Sequence, residues 1–159
     1  MDDLTEERFL DRWRPVRGRT FELLGWLTDR ELEQLPAERV GHLWRQFRHL
    51  GRIECNYASA LTTKEIKFGA PEIIADGSSK ADLLAYLARV DTDVLVPAVK
   101  AAKRADTVTW PGEDPLPLAA HLERMVQHEV LHQGQLIMAV SLLDFEFPPG
   151  WRVAWGLPG

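Results

Sequence analysis

The sequence predicts an all-α fold, a four-helix bundle in a single domain that spans residues 1–159. Apolar residues recur at steps of three and four in four long segments, and stretches rich in glycine and proline separate these segments. A chain of 159 residues with 45% hydrophobic residues is also long and apolar enough to bury one core. The helices are expected at about Thr5–Leu27, Ala37–Thr62, Lys80–Lys103 and Leu116–Leu143.

Composition and charge narrow the possible partners and location of the chain. The net charge is -5, from 24 acidic and 19 basic residues, which disfavours binding to nucleic acid or to an anionic membrane. No stretch approaches the ~18 apolar residues of a membrane span, and the acidic start Met1-Asp2-Asp3 is unlike a secretory signal. Cys55 is the one cysteine, and it is expected to be a small buried apolar residue. We therefore expect a cytoplasmic protein.

The first two helices are predicted from their apolar seams. Helix one carries Phe9, Trp13, Val16, Leu23 and Leu27. Thr28 and Glu31 have the spacing of a capping box, which predicts a short helical turn that ends before Pro36. Helix two carries Leu43, Phe47, Leu50, Tyr57 and Leu61 on one seam, interrupted by Glu54.

The segment Thr63–Ser79 is predicted to be a long connection, because Gly69, Pro71 and Gly77 lie in it without helical periodicity. Its 17 residues can reach about 56 Å when extended, whereas a helix of ~25 residues is only ~37 Å long. The chain can therefore return to the far end of the bundle, so that helices two and three run parallel with one crossover.

Proline residues shape the second half of the chain. Helix three is expected to face inward with Leu84, Leu87, Val94 and Ala98, and Pro97 predicts a kink or break in its last turns. Gly134 in helix four is expected to let another helix approach closely. The aromatic segment after Leu143 has too many prolines for a helix, and it is expected to pack on the bundle, either at a metal site or over a dimer surface.

Helix four carries the residues that indicate chemistry. A core-facing stripe at helical spacing reads Leu118, His121, Met125, His128, His132, Gln135, Ala139, Leu142, and half of it is polar. His128 and His132 lie one turn apart on one face, so both imidazoles can bind the same ion. The alternative is a pair of core histidines that bond to each other or to the backbone. His49 in helix two can supply a third ligand, whereas His42 and His121 lie a heptad away and are expected to be hydrogen-bonded or at the surface.

The strings His49-Leu50-Gly51-Arg52-Ile53-Glu54 and His128-Glu129-Val130-Leu131-His132-Gln133-Gly134-Gln135 resemble those of the DinB-like superfamily. The resemblance covers nearly the whole chain and departs from the family's pattern at Arg124 and Gln133. It implies an up-down-down-up four-helix bundle with a short aromatic C-terminal segment, commonly a homodimer. It also implies a divalent metal ion on three histidines, which here are His49, His128 and His132. Relatives with assigned activities are metal-dependent thiol transferases or isomerases that use low-molecular-weight thiols.

The string His128-Glu129-Val130-Leu131-His132 also matches the HExxH motif of zinc proteases, in which the glutamate is the general base. The metzincin extension needs a glycine at Gln135 and a histidine at Met138, and no histidine follows His132. A protease is therefore a remote alternative.

The expected function is that of a metal-dependent enzyme, similar to a thiol S-transferase or to a hydrolase, that acts on a small electrophile. Zinc is the first expectation for the metal and nickel the second. The alternative is a non-catalytic bundle for metal binding and dimerisation or for binding a small ligand. The catalytic residues and the roles of Tyr57 and Glu129 stay open. Glu54 could orient a ligand histidine or pair with Arg124, and Gln135 could bond substrate or backbone.

Overall fold

The computed structural model describes residues 3–69, 75 and 77–158. Most of these residues are helical, which confirms the predicted all-α class. The helices are α1 Asp3–Trp26, α2 Asp29–Leu32, α3 Leu43–Thr63, α4 Lys80–Arg89, α5 Val96–Ala101, α6 Leu118–Leu142 and α7 Pro149–Trp155, and a π-helical turn Val90–Leu95 joins α4 to α5. Two short antiparallel strands, β1 Thr107–Val108 and β2 Leu116–Pro117, lie in the loop before α6.

The capping box at Thr28 is present as predicted. The Glu31 backbone N–H donates to the Thr28 hydroxyl, and the Glu31 carboxylate accepts from the Thr28 N–H at 2.7 Å. Two otherwise unpaired backbone donors are thereby satisfied, so the chain turns sharply between α1 and α2. Helix α2 ends at Leu32, before Pro36.

The second long helix begins at Leu43, and the predicted start at Ala37 is wrong. Residues 37–40 form turns, and Gly41 has a φ of +79°, which no α-helix contains. His42 then precedes the helix and donates from Nδ1 to the Glu33 carbonyl oxygen at 2.6 Å. The polar run before Leu43 therefore serves as a loop that fixes where α3 starts.

The connection after α3 is non-helical wherever the structure describes it, as predicted. Residues 70–74 and 76 of the predicted connection, among them Pro71, lie outside the described residues. Near its start, the Ile66 N–H donates to the Thr109 carbonyl at 3.0 Å, and the Thr109 N–H donates to the Lys64 carbonyl at 2.9 Å. The end of α3 is thus tied to the loop that leads into α6.

The third long helix is interrupted, as Pro97 predicted, but the irregular turns precede the proline. Pro97 has no N–H, and its ring crowds the carbonyl of Asp93. The helix widens at Val90–Leu95, where the Val96 N–H bonds to the Asp91 carbonyl, and the helical region ends at Ala101 rather than Lys103.

The π-helical turn Val90–Leu95 also rotates the buried face of the third long helix. The fully buried residues are Leu83, Tyr86, Leu87, Val90, Leu95 and Val99. Of the residues predicted to face inward, Leu87 is fully buried, whereas Leu84, Val94 and Ala98 are only partly buried.

The close helix approach occurs at Gly51 and not at Gly134. A side chain at Gly51 would meet the ring of Tyr86 and the side chain of Leu87, so α3 packs directly on α4 there. Gly134 is exposed, with open space around it, and its predicted packing role is wrong.

The C-terminal segment contains a helix, contrary to prediction. Pro149 occupies the first turn of α7, where a missing N–H costs nothing. Trp151 is fully buried and donates from its indole to the Arg19 carbonyl at 2.7 Å. The Gly150 N–H bonds to the Glu22 carboxylate at 3.0 Å, so α7 packs on α1. No helix in the described part of the chain is long and apolar enough to cross a membrane.

Candidate metal centre

Helices α3 and α6 bring His49, His128 and His132 together. The candidate ligand atoms of the three side chains all lie within 4.8 Å of one another. The ring centroid of His49 lies 4.7 Å from that of His132 and 5.7 Å from that of His128. Within the described residues, this is the one group of three such side chains that could hold a metal ion. The three histidines predicted as ligands are therefore neighbours.

The spacing of the nitrogens fits a metal ion. The Nε2 atoms of His128 and His132 are 3.1 Å apart. Zinc–nitrogen bonds of about 2.0 Å in a tetrahedron separate two ligand nitrogens by about 3.3 Å. One ion therefore fits between the two rings with little movement, and His49 lies close enough to supply the third nitrogen.

Gln46 sets the orientation of His132. Its amide oxygen lies 3.3 Å from Nδ1 of His132, which makes Nδ1 the protonated nitrogen and leaves the lone pair of Nε2 for an ion. Gln46 lies one helical turn before His49 on α3. A glutamine one turn from a ligand histidine is the sequence signal that points to this role.

The three imidazoles are neutral at neutral pH. Burial, together with the charges of His132 and His49, lowers the pKa of His128 to about 4. Burial and the charge of His49 also lower the pKa of His132 to about 4. Burial lowers the pKa of His49 too, and the positive charge of Arg52 adds to this effect. Neutral imidazole is the form that binds metal ions.

An aromatic wall of Tyr57, Trp110 and His121 borders the cluster. The ring centroid of Tyr57 lies 5.9 Å from that of His128 and 5.5 Å from that of Trp110. His121 donates to the Tyr57 carbonyl oxygen at 3.0 Å and accepts from the Trp110 indole at 3.3 Å. His121 is thus a buried, hydrogen-bonded histidine, as predicted. Burial raises the pKa of Tyr57 to about 12, so its hydroxyl keeps its proton.

Glu54 and Glu129 belong to a different cluster, centred on Arg17. The Arg17 guanidinium pairs with Glu54, with Glu129 at 3.1 Å and with Asp91 at 3.1 Å. Glu54 does not pair with Arg124 as considered from the sequence, because Arg124 pairs with Glu113. Burial raises the pKa of Glu54 well above its ordinary value. The positive charge of Arg17 lowers this pKa, whereas the carboxylates of Asp91 and Glu129 raise it.

The Arg17 cluster had only a partial signal in the sequence. Glu54 interrupts an apolar seam, but Glu129 reads as a surface residue when a strict heptad is drawn through His128. In the structure Glu129 is 2% exposed, whereas Gln135, placed on the inward stripe, is exposed beside His132. The basic partner lies on α1, 112 positions from Glu129, and nothing local in the sequence identifies it.

Comparison with known proteins agrees with this fold. The family model of the DinB superfamily matches residues 12–136. A crystal structure of a DinB-like protein from Bacillus cereus is similar, with a TM-score of 0.72 and 22% sequence identity over 89% of this chain and 95% of that chain. At that identity the likeness concerns the fold. The comparison with curated proteins finds no significant match.

Proposed function

The chain belongs to the DinB superfamily, and we propose that it is a metal-dependent enzyme with one divalent ion on His49, His128 and His132. The observation that carries this proposal is the convergence of three neutral imidazoles from two helices, with Nε2 atoms of His128 and His132 3.1 Å apart. Three protein ligands leave a fourth position for a thiol or water.

The proposed reaction is transfer of a low-molecular-weight thiol to a small electrophile, with hydrolysis as the second choice. An ion on three imidazoles would make a thiol or a water acidic enough to act as a nucleophile at neutral pH. The chain's own residues supply the neutral donors, and Gln46 holds the ring of His132 in one orientation. Tyr57 and Trp110 form an apolar wall beside the cluster, which excludes water from one side.

The donor set favours zinc, with nickel second, because three imidazoles suit both ions. We also propose that the bundle is up-down-down-up and forms a homodimer. The contact of Gly51 with Tyr86, together with the shared surface of Ala58 and Val94 further along, supports a parallel course for α3 and the third long helix.

The zinc protease alternative loses its general base. The Glu129 carboxylate accepts hydrogen bonds from Arg17 and from the Thr20 hydroxyl and is almost fully buried. A carboxylate held in this way does not face the histidine cluster, so the glutamate of the HExxH string has a role in packing instead.

The direct test is elemental analysis of an untagged chain, compared with His49→Ala, His128→Ala and His42→Ala variants. We expect one ion per chain in the wild type, loss of the ion in the first two variants, and full retention in His42→Ala. His42 is the matched control, since it precedes α3 and bonds to the Glu33 carbonyl away from the cluster. A folded wild-type chain that takes up neither zinc nor nickel would contradict the proposal.

His132→Ala separates a catalytic ion from a structural one. If the ion is catalytic, the variant loses thiol transfer and keeps its helical circular dichroism and cooperative unfolding. A chain that unfolds when the ion is lost would instead be a metal-dependent scaffold.

A further inference from the structure

Arg124 lies close to the histidine cluster along α6. It precedes His128 by one helical turn, or about 6 Å along the helix axis, on the same face. Its guanidinium stacks on the ring of Trp110, 4.7 Å from the ring centroid. Trp110 contacts Tyr57, and Tyr57 contacts His128. One continuous wall therefore leads from the Arg124 guanidinium to the cluster.

Arg124 already holds a carboxylate in a two-point contact. Its Nη1 donates to Oε1 of Glu113 at 3.1 Å, and its Nη2 donates to Oε2 at 2.7 Å. This parallel pair is the arrangement by which arginine recognises carboxylates. Glu113 lies in the loop between β1 and β2, next to Gly112, whose φ of +76° makes the turn.

The Arg124–Glu113 pair is exposed enough to exchange. The two side chains are 34% and 44% exposed. An exposed ion pair of this kind contributes little to the stability of the fold. A carboxylate from a ligand can thus replace that of Glu113 at low cost, keeping both hydrogen bonds of the guanidinium.

A second arginine flanks the cluster from α3. Arg52 is exposed and follows His49 by one turn, and its charge acts on the His49 ring. Two arginine residues, on different helices, therefore lie one turn along the chain from the histidines. This local positive charge contrasts with the net charge of -5 for the whole chain.

Resting on the function proposed above, we propose that Arg124 and Arg52 form an anion subsite that selects substrates carrying a carboxylate group about 6 Å or more from the reacting atom. Glu113 occupies this subsite in the absence of substrate and is displaced when the carboxylate binds. Arg124 is the principal residue of this subsite, because its guanidinium is held in place by stacking on the ring of Trp110. The subsite determines specificity and takes no part in bond making.

The test uses the cobalt-loaded protein and two thiols of the same length. 6-Mercaptohexanoate carries the carboxylate, and 6-mercaptohexan-1-ol is its neutral match. Binding of each thiol is followed by the change in the visible absorption of the cobalt-loaded chain. We expect the wild type to bind the carboxylate thiol about tenfold more tightly, as one charge-assisted contact predicts.

The variants assign the preference to the subsite. Arg124→Gln should reduce the tenfold preference to less than about twofold without changing the affinity for the neutral thiol, and Glu113→Gln should increase the preference about threefold. Arg12→Gln is the matched control, because Arg12 is an exposed arginine that also pairs with a glutamate, Glu123 of α6, away from the cluster. It should leave both affinities unchanged. Cobalt uptake and circular dichroism report whether each variant is folded.

Two different failures can be told apart. A wild-type chain that takes up no cobalt overturns the proposed function and the subsite with it. A chain that takes up cobalt and binds both thiols equally, or keeps its preference in Arg124→Gln, overturns the subsite and leaves the metal centre intact.

Discussion

The bundle holds two polar clusters that both involve helices α3 and α6, and their side chains are satisfied in opposite ways. In the Arg17 cluster, one guanidinium donates to the carboxylates of Glu54, Asp91 and Glu129. In the histidine cluster, His49, His128 and His132 bring their candidate ligand nitrogens within 4.8 Å of one another. The first cluster pairs a cation with carboxylates, whereas the second collects three side chains of the same kind. Complementary groups stabilise a fold, and identical groups that converge indicate a site for a ligand.

The largest expected effect is that of Arg17→Met. The substitution leaves buried carboxylates without their cation, so we expect the free energy of unfolding to fall by about 3–5 kcal/mol. Urea unfolding followed by circular dichroism measures this. Adding Glu129→Gln removes one of the uncompensated charges and should recover part of the loss. A loss below about 1 kcal/mol would show that the Arg17 cluster does not hold the helices together.

The next effect concerns Gln46, which connects the histidine cluster to its surroundings. Gln46→Ala frees the ring of His132, and we expect the metal affinity to fall about 10-fold with little change in stability. Competition with a chelator of known affinity measures it. Gln127→Ala is the control, because Gln127 is exposed on α6 and bonds to Glu123. Equal affinities in the two variants would remove Gln46 from the site.

A smaller effect is expected from pH in the metal-free protein. The pKa values of His128 and His132 are lowered from 6.5 to about 4 in the fold. Between these values the unfolded chain binds protons that the folded chain does not, so stability decreases as the pH falls from 6.5 towards 4. Because His128 is only partly buried, we expect the Tm to drop by only about 3 °C from this source.

Calorimetry at several pH values checks this dependence against the variant His128→Gln/His132→Gln, which lacks both titrating rings. The Tm of the variant should fall less over the same range. Parallel curves for the two proteins would mean that these histidines do not disfavour protonation in the fold.

The smallest effect is expected from His132→Leu in the metal-free protein. Leucine has a similar volume and removes a polar ring that burial holds in its neutral form, so the free energy of unfolding should change by less than about 1 kcal/mol. The same urea titration measures the free energy of unfolding of His132→Leu and of Arg17→Met. A small loss in the first variant and a large loss in the second would separate a binding site from a cluster that stabilises the fold. A loss of about 3 kcal/mol or more would place His132 among the residues that hold the fold.

The sequence predicted the features that local patterns control. Apolar periodicity located the long helices, and the Thr28–Glu31 spacing predicted a cap that the structure contains. The i, i+4 pair His128 and His132 lies side by side because the helix itself places it so, and the family resemblance added His49. These features depend on neighbours within about one turn of helix, which a single sequence displays.

The features that the sequence did not predict depend on packing between helices. A strict heptad on α6 drifts about 20° per repeat from the true helical period, so it placed Gln135 and Leu142 inward and Glu129 outward. The buried seam instead follows Leu122, Met125, Glu129, Gln133, Leu136 and Val140. The start of α3 depended on the backbone of Gly41, and the rotated face of the third helix depended on the π-helical turn. None of these features can be read from the spacing of apolar residues in the sequence.

The short strands before α6 have a consequence for the motion of the loop between them. Thr107 pairs with Pro117 and Val108 with Leu116, while Thr109 is bonded to the end of α3. Both ends of the loop are therefore fastened, and its tip around Gly112 is closed by a bond from the Glu113 N–H to the Trp110 carbonyl at 3.1 Å, so the tip can swing only as a unit. Amide hydrogens at the base should exchange slowly and that of Gly112 at the tip quickly, as in a flap on a fixed hinge. The tip, which carries the Glu113 carboxylate that pairs with Arg124, can then move many times while the bundle stays folded.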